Sequence, residues 1–241
     1  MKESDNEIET AVTRGAEELG IVLPSGAGSA FASYYDILEK RGRDVNLTAI
    51  SGEEDVASLH FLDSLALLNA HDFKNARVID VGSGAGFPGV PLKLAEPSVD
   101  LALLDATRKR VAFLKEVCDD LGIEAELIHS RAEEAARKPE MRERYDIALS
   151  RAVARLNILC EMCLPFVRAG GMFIAMKGVD SADEIKEASG AIEALGARLQ
   201  DCVDYAIPGT DVTHRAVLIC KTAETPEKYP RRFARIQKNP L

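Results

Sequence analysis

Apolar residues recur at helical spacing from about Ile8 to Leu19, from Phe31 to Leu38 and from Val56 to Leu68, with Pro24, Gly26 and Gly42 as punctuation. This pattern predicts a helical extension over residues 1–75. From Arg77 the texture changes. Short β-branched or apolar runs at Val78 to Val81, Leu101 to Asp105, Glu126 to His129, Asp146 to Ser150 and Gly171 to Lys177 read as strands, each ending near a polar or glycine turn. Helical patterns begin between them, near Pro88, Thr107, Arg131, Val153 and Ala182. Alternating strands and helices predict a doubly wound, mostly parallel sheet. After Leu195 the rhythm breaks, because Arg198 to Ala206 and Arg215 to Lys221 are two strand-like runs separated only by a turn around Pro208-Gly209-Thr210-Asp211. Such a hairpin suits an antiparallel edge on a parallel sheet. The expectation is therefore an α/β, Rossmann-like domain over 76–222, preceded by helices and followed by a tail, 223–241.

The first strand runs into Asp80-Val-Gly-Ser-Gly-Ala-Gly-Phe-Pro-Gly89. Val78, Ile79 and Val81 suit a buried parallel strand, and Gly82, Gly84 and Gly86 leave no Cβ between backbone and a ligand. Gly84, Gly86 and Gly89 also satisfy a dinucleotide fingerprint, but that fingerprint should open where the strand ends, and on that spacing Phe87 fills the third glycine's place. Asp80 would also repel a pyrophosphate and favour a cationic ligand. S-adenosylmethionine, a phosphate-free sulfonium, fits better than NAD.

Asp105, closing the second strand, lies at the interval expected of an acid that accepts ribose hydroxyls. The next two strand ends supply His129-Ser130-Arg131-Ala132-Glu133 and Ser150-Arg151-Ala152. In open α/β sheets these rim the same crevice. Ala132 and Glu133 are expected to frame an adenine. Arg151 is expected to face the transfer site and hold a phosphate or a base oxygen, the alternative being a surface ion pair. The neighbouring Arg108, Lys109 and Arg110 read as an exposed helix start or a basic patch.

Charge adds a second site. The chain of 241 residues carries a formal net charge of −9, which speaks weakly against nucleic acid as a ligand. Yet residues 1–20 hold six acids against two bases, whereas residues 228–241 hold Lys228, Arg231, Arg232, Arg235 and Lys238 without an acid. Arg231, Arg232, Arg235 and Lys238 become candidate RNA contacts, against the alternative of a solvated tail. No apolar run approaches a membrane span and the N-terminal residues are acidic and polar, so a cytoplasmic protein is expected. Five scattered cysteines argue against a disulfide framework. Cys160-Glu-Met-Cys163 has metal or redox spacing, but it sits in a helical pattern with no partner pair, so no metal is expected. The four histidines show no ligand spacing.

Taken together, Asn46-Leu47-Thr48, His60-Phe-Leu-Asp-Ser-Leu65, Asp80 to Gly89, Ser150-Arg-Ala-Val-Ala154 and Tyr229-Pro-Arg231 resemble the RsmG family, also called GidB, from about residue 30 onward. The resemblance implies a class I methyltransferase fold and a bacterial cytoplasmic 16S ribosomal RNA (guanine-N7)-methyltransferase that uses S-adenosylmethionine. It implies that Gly82 and Phe87 belong to the cofactor loop, that Ala132 and Glu133 line the cofactor, and that Arg151 closes the site. The expected partner is 16S RNA within the small subunit or a precursor, and the expected state a monomer. Guanine N7 carries an in-plane lone pair and no proton, so the chemistry calls for positioning rather than a general base. A small-molecule methyltransferase and a non-catalytic RNA-binding protein are the rival readings.

Overall fold

The structure, a computed structural model, describes residues 7–45, 50–151 and 153–241. Asn46-Leu47-Thr48 and Ala152 of the motifs above lie outside the described residues. Helices α1 (Glu7–Glu18) and α2 (Ala27–Val45) open the chain, followed by α3 (Glu53–Val56), a π-helical turn (Ala57–Leu62), α4 (Asp63–Leu65) and α5 (Leu67–Ala70). Then come β1 (Arg77–Val81), α6 (Gly89–Ala95), β2 (Asp100–Asp105), α7 (Arg108–Leu121), β3 (Ala125–His129), α8 (Ala132–Ala135) and β4 (Tyr145–Arg151). The chain continues through α9 (Leu156–Cys163), β5 (Val167–Gly178), α10 (Ala182–Glu187), α11 (Ser189–Ala194), β6 (Ala197–Ala206), β7 (Thr213–Lys221) and α12 (Phe233–Lys238). Among the described residues no helix is long and apolar enough to cross a membrane.

The seven strands form one sheet in the order β3-β2-β1-β4-β5-β7-β6. β1 to β5 pair in parallel, and β7 is antiparallel to both β5 and β6, the closing hairpin expected from the sequence. The helix expected near Val153 starts at Leu156, because Arg155 is still extended.

Alternation along each strand divides the core in two. Val78, Leu101, Leu103, Ile147 and Leu149 point to one face, where they join Ile8, Phe31, Tyr34 and Phe61 of the N-terminal helices. Ile79, Val81, Ala102, Leu104 and Ala148 point to the other, under α9 and α11 with Tyr229 of the tail. The N-terminal helices thus complete one face of the sheet and share its core. The same parity fixes the functional side chains. Asp80 and Arg151 fall on the side of the N-terminal helices, and so does His214, two residues before Ala216 of that cluster.

Candidate active site

The strand order reverses between β1 and β4, and an open cleft of about 960 Å³ lies beyond the carboxyl ends of the strands at that point. Gly82, Gly84, Phe87, Asp105, Ala132, Glu133 and Arg151, all singled out in the sequence, line it. At Gly82 the backbone takes φ 79°, and a Cβ would stand 2.7 Å from the side chain of Val153, which leans over the loop from the opposite rim. Glycine therefore keeps the mouth of the loop open.

Asp105 is nearly sealed from solvent yet borders the cleft. The Gly84 N–H donates to its Oδ2 at 3.1 Å and the Thr107 N–H to its Oδ1 at 2.7 Å, which fixes the plane of the carboxylate. Oδ1 keeps lone-pair capacity for a further donor, while Oδ2 also faces the Arg110 guanidinium, whose Nη1 lies 3.5 Å away. Glu133 is held from one side only. Arg131 Nε donates to its Oε1 at 2.6 Å, while its buried Oε2 has no hydrogen-bond partner among the described residues. An unfilled acceptor in a cleft wall is costly without a ligand donor.

Two expectations need correction. Asp80 does not border the cleft: strand alternation turns it beneath the loop, where it is fully buried and accepts the Gly89 N–H at 3.0 Å at the start of α6. Burial pushes its carboxyl up to about 8. Its role is to brace the loop from beneath. Gly86 also faces inward. Its φ is 99°, and a Cβ there would meet the Tyr34 hydroxyl, which donates to the Ala85 carbonyl. The glycine is required by the helical layer beneath the loop.

Arg151 reaches the cleft with both of its terminal nitrogens already engaged. From the end of β4 its Nη1 donates to the Leu59 carbonyl at 3.1 Å and to Asp63 Oδ2 at 3.0 Å, and its Nη2 to His60 Nδ1 at 2.9 Å. Its guanidinium lies 4.9 Å from the centre of the Phe87 ring, which stacks on His60 at 4.5 Å. Since a guanidinium only donates, His60 accepts through Nδ1, and burial and Arg151 push its imidazole down to about 3. Arg151 thus borders the cleft, and its ion pair with Asp63 is buried rather than on the surface, a clamp between the strand end and the π-helical turn.

The structure adds residues that spacing alone does not reveal. Asp63 is buried and takes, besides Arg151, the hydroxyl of Tyr205 at 3.0 Å and Nδ1 of His214 at 2.8 Å, both on Oδ1. His214 lines the cleft on the far side from Glu133. The sequence trace of this cluster is the His60 to Leu65 motif, which contains Asp63 without its partners.

The tail is docked. Arg142 donates to the carbonyls of Thr225 and Tyr229, Arg137 to that of Pro230, and buried Lys221 pairs with Glu143 at 2.9 Å. Arg231 is withdrawn from the candidate RNA contacts, because its guanidinium forms a two-pronged pair with the fully buried Glu161. Replacing that partner by RNA would leave a buried carboxylate alone. Arg232, Arg235 and Lys238 remain outward on or beside α12. Ile236 anchors that helix, worth about 1.5 to 3 kcal/mol for a fully buried aliphatic side chain. Phe233 lines the cleft and lies under Arg131 at 4.5 Å. Cys160 and Cys163 are buried within α9 with thiols pushed up by burial, which leaves them chemically quiet.

These groups suit S-adenosylmethionine: an oriented acid for ribose hydroxyls, an unfilled buried acceptor for an adenine amino group, and an open glycine backbone. The comparisons with known proteins agree. The chain is 43% identical to ribosomal RNA small subunit methyltransferase G of Alkaliphilus oremlandii, over 98% of this chain and 99% of that one. To the protein of the same name from Pelotomaculum thermopropionicum it is 44% identical, over 95% and 97%. In fold it is similar to a SAM-dependent methyltransferase from Aquifex aeolicus, with a TM-score of 0.51 and 16% identity over 68% of this chain and 92% of that one. A precorrin-6y C5,15-methyltransferase from Geobacter metallireducens gives 0.50 and 13%, over 71% and 90%. The family profile described as GidB, rRNA small subunit methyltransferase G, matches residues 28–208, and the chain belongs to that family.

Proposed function

We propose that this cleft carries the methyl group of S-adenosylmethionine to N7 of a guanine in 16S ribosomal RNA. As a member of its family the chain is an enzyme, a small-subunit ribosomal RNA methyltransferase that draws on S-adenosylmethionine. The observation that carries the finer reading is the division of the cleft. Its glycine end offers oriented and unfilled acceptors. Its far end offers a cluster of donors organised on Asp63, with no free carboxylate poised there among the described residues to remove a proton.

That division matches the chemistry. The N7 lone pair attacks the methyl carbon as the carbon–sulfur bond breaks, the bonding pair stays on sulfur, and the purine takes up the positive charge. No proton moves. The protein's task is to hold N7 about 3 to 3.5 Å from the methyl carbon and in line with the leaving sulfur. Asp105 receives the ribose, Glu133 the adenine amino group with Ala132 beside it, and Gly82, Gly84 and Phe87 form the loop along the donor. Arg151 orders the acceptor end through Asp63 and His60. Arg232, Arg235 and Lys238 meet RNA phosphates next to the cleft. The enzyme acts in the cytoplasm, as a monomer, on RNA in the small subunit or its precursor.

The test is incubation with labelled S-adenosylmethionine and unmodified small subunits, with subsequent mapping of the methylated base. One N7-methylguanine in 16S RNA is expected. Methylation at another atom refutes the N7 assignment, and equal turnover of free guanosine points to a small-molecule enzyme.

A further inference from the structure

Beyond its donor-binding loops, the cleft ends at a histidine that neither spacing nor family motif singles out. His214, the second residue of β7, pairs with Gly178, the last residue of β5, and so stands at the β4 and β5 strand ends, away from the loops that receive the donor. A methyl acceptor has to enter on this side. The charged and titratable groups packed around the imidazole are Asp63 from α4, Arg151 from β4 and Tyr205 from β6. Tyr205 meets the ring edge-on at 6.3 Å, and burial beside Asp63 keeps its hydroxyl protonated.

A carboxylate only accepts hydrogen bonds, so the 2.8 Å contact to Asp63 places a proton on Nδ1 of His214. Nε2 has no hydrogen-bond partner among the described residues. We propose that His214 reads the target base, its Nε2–H donating to O6 of the guanine whose N7 is methylated. With Nδ1 already protonated, Nε2 carries a proton only in the imidazolium. The contact to Asp63 raises the His214 pKa above its ordinary 6.5, which favours that form. The guanine edge presents O6 beside N7 as an acceptor, whereas adenine presents an amino donor there and would meet the imidazolium donor to donor. The buried Asp63 carboxylate offsets the imidazolium charge, so the ring can approach a base that becomes cationic. This assignment rests on the guanine-N7 reading above.

The experiment combines a residue change with an atom change, using full-length protein and 16S RNA assembled into small subunits, with either guanine or 2-aminopurine at the mapped target. 2-Aminopurine keeps N7 and lacks O6. For wild type, the change to 2-aminopurine is expected to lower kcat/KM and raise the Kd measured with bound S-adenosylhomocysteine, each by roughly 10- to 100-fold, the scale of one charge-assisted hydrogen bond. His214→Ala should show the same loss on guanine and no further loss on 2-aminopurine. His214→Gln, whose amide donates without titrating, should restore part of the loss and abolish the fall in kcat/KM that wild type shows as pH rises through the imidazolium pKa. Losses that multiply in the combined case, or an unchanged His214→Ala enzyme, overturn the assignment. Failure of wild type to form N7-methylguanine on the guanine substrate overturns the N7 reading instead.

Discussion

At the glycine end of the cleft, the contact between Gly84 and Asp105 joins residues 21 apart in sequence; at the far end, that between Asp63 and His214 joins residues 151 apart. The first region is built from successive strand ends and largely from backbone. The second is built from side chains of α4, the π-helical turn, β4, β6 and β7, with one buried carboxylate as common partner. A backbone-built region loses one contact at a time. An ionic cluster fails as a unit, because each removed member leaves another buried and unpaired.

The sharpest way to break this contrast is Asp63→Ala. It strands the Arg151 guanidinium, which is only 15% exposed, and should cost about 3 to 5 kcal/mol of stability together with nearly all methyl transfer. Thermal unfolding and a transfer assay report both losses. Next in size, Arg151→Ala should depress methyl transfer far more than donor affinity, since Arg151 orders the acceptor end; equal losses in turnover and in calorimetric affinity would move it to the donor. Asp105→Ala should do the reverse, weakening S-adenosylmethionine by roughly 10- to 100-fold if the carboxylate holds the ribose. A modest fall in melting temperature is expected alongside, because the Gly84 and Thr107 N–H groups lose their acceptor, while the fold is kept.

A smaller effect separates support beneath the loop from contact with the donor. Folding lifts the Asp80 carboxyl to about 8 from its ordinary 3.8, so the folded state binds the proton more tightly than the unfolded one. Stability is then fully present below the ordinary carboxylate range and declines as pH rises through about 8. Asp80→Asn keeps an acceptor for the Gly89 N–H and should flatten that decline in melting temperature against pH. An unchanged slope would mean that Asp80 is not the titrating group. Smallest of all, replacing Arg232, Arg235 and Lys238 together by Gln should weaken RNA binding and flatten its salt dependence, with donor affinity unchanged.

The same contrast governs what is legible in the chain. The succession of strands and helices, the closing hairpin and the residues of the glycine end can be read because hydrophobic period and loop chemistry are local signals. Asp80 and Gly86 stand out in the sequence as constrained positions, but the face each serves does not. Strand parity places Asp80 on the side of Val78, under α6, and no sequence pattern announces the Tyr34 hydroxyl beneath Gly86. His214 and Tyr205 are invisible for a different reason. A lone histidine carries no spacing, and the meaning of this one comes from a carboxylate 151 residues earlier in the chain. Arg231 misleads because five bases without an acid resemble an arm, while the acid that claims Arg231 lies 70 residues before it.

The π-helical turn at Ala57–Leu62 sets a rule about length. A π turn takes about one residue more than an α turn to go once round the axis, so this turn holds a residue that a regular α-helix would not. Deleting a single codon within this turn would let it close to an α turn, keeping Asp63 on its face but moving the Leu59 carbonyl and His60 Nδ1 off Arg151. The hairpin turn at Pro208 to Asp211 carries no comparable demand. Natural length variation should accumulate there and be absent from Ala57–Leu62.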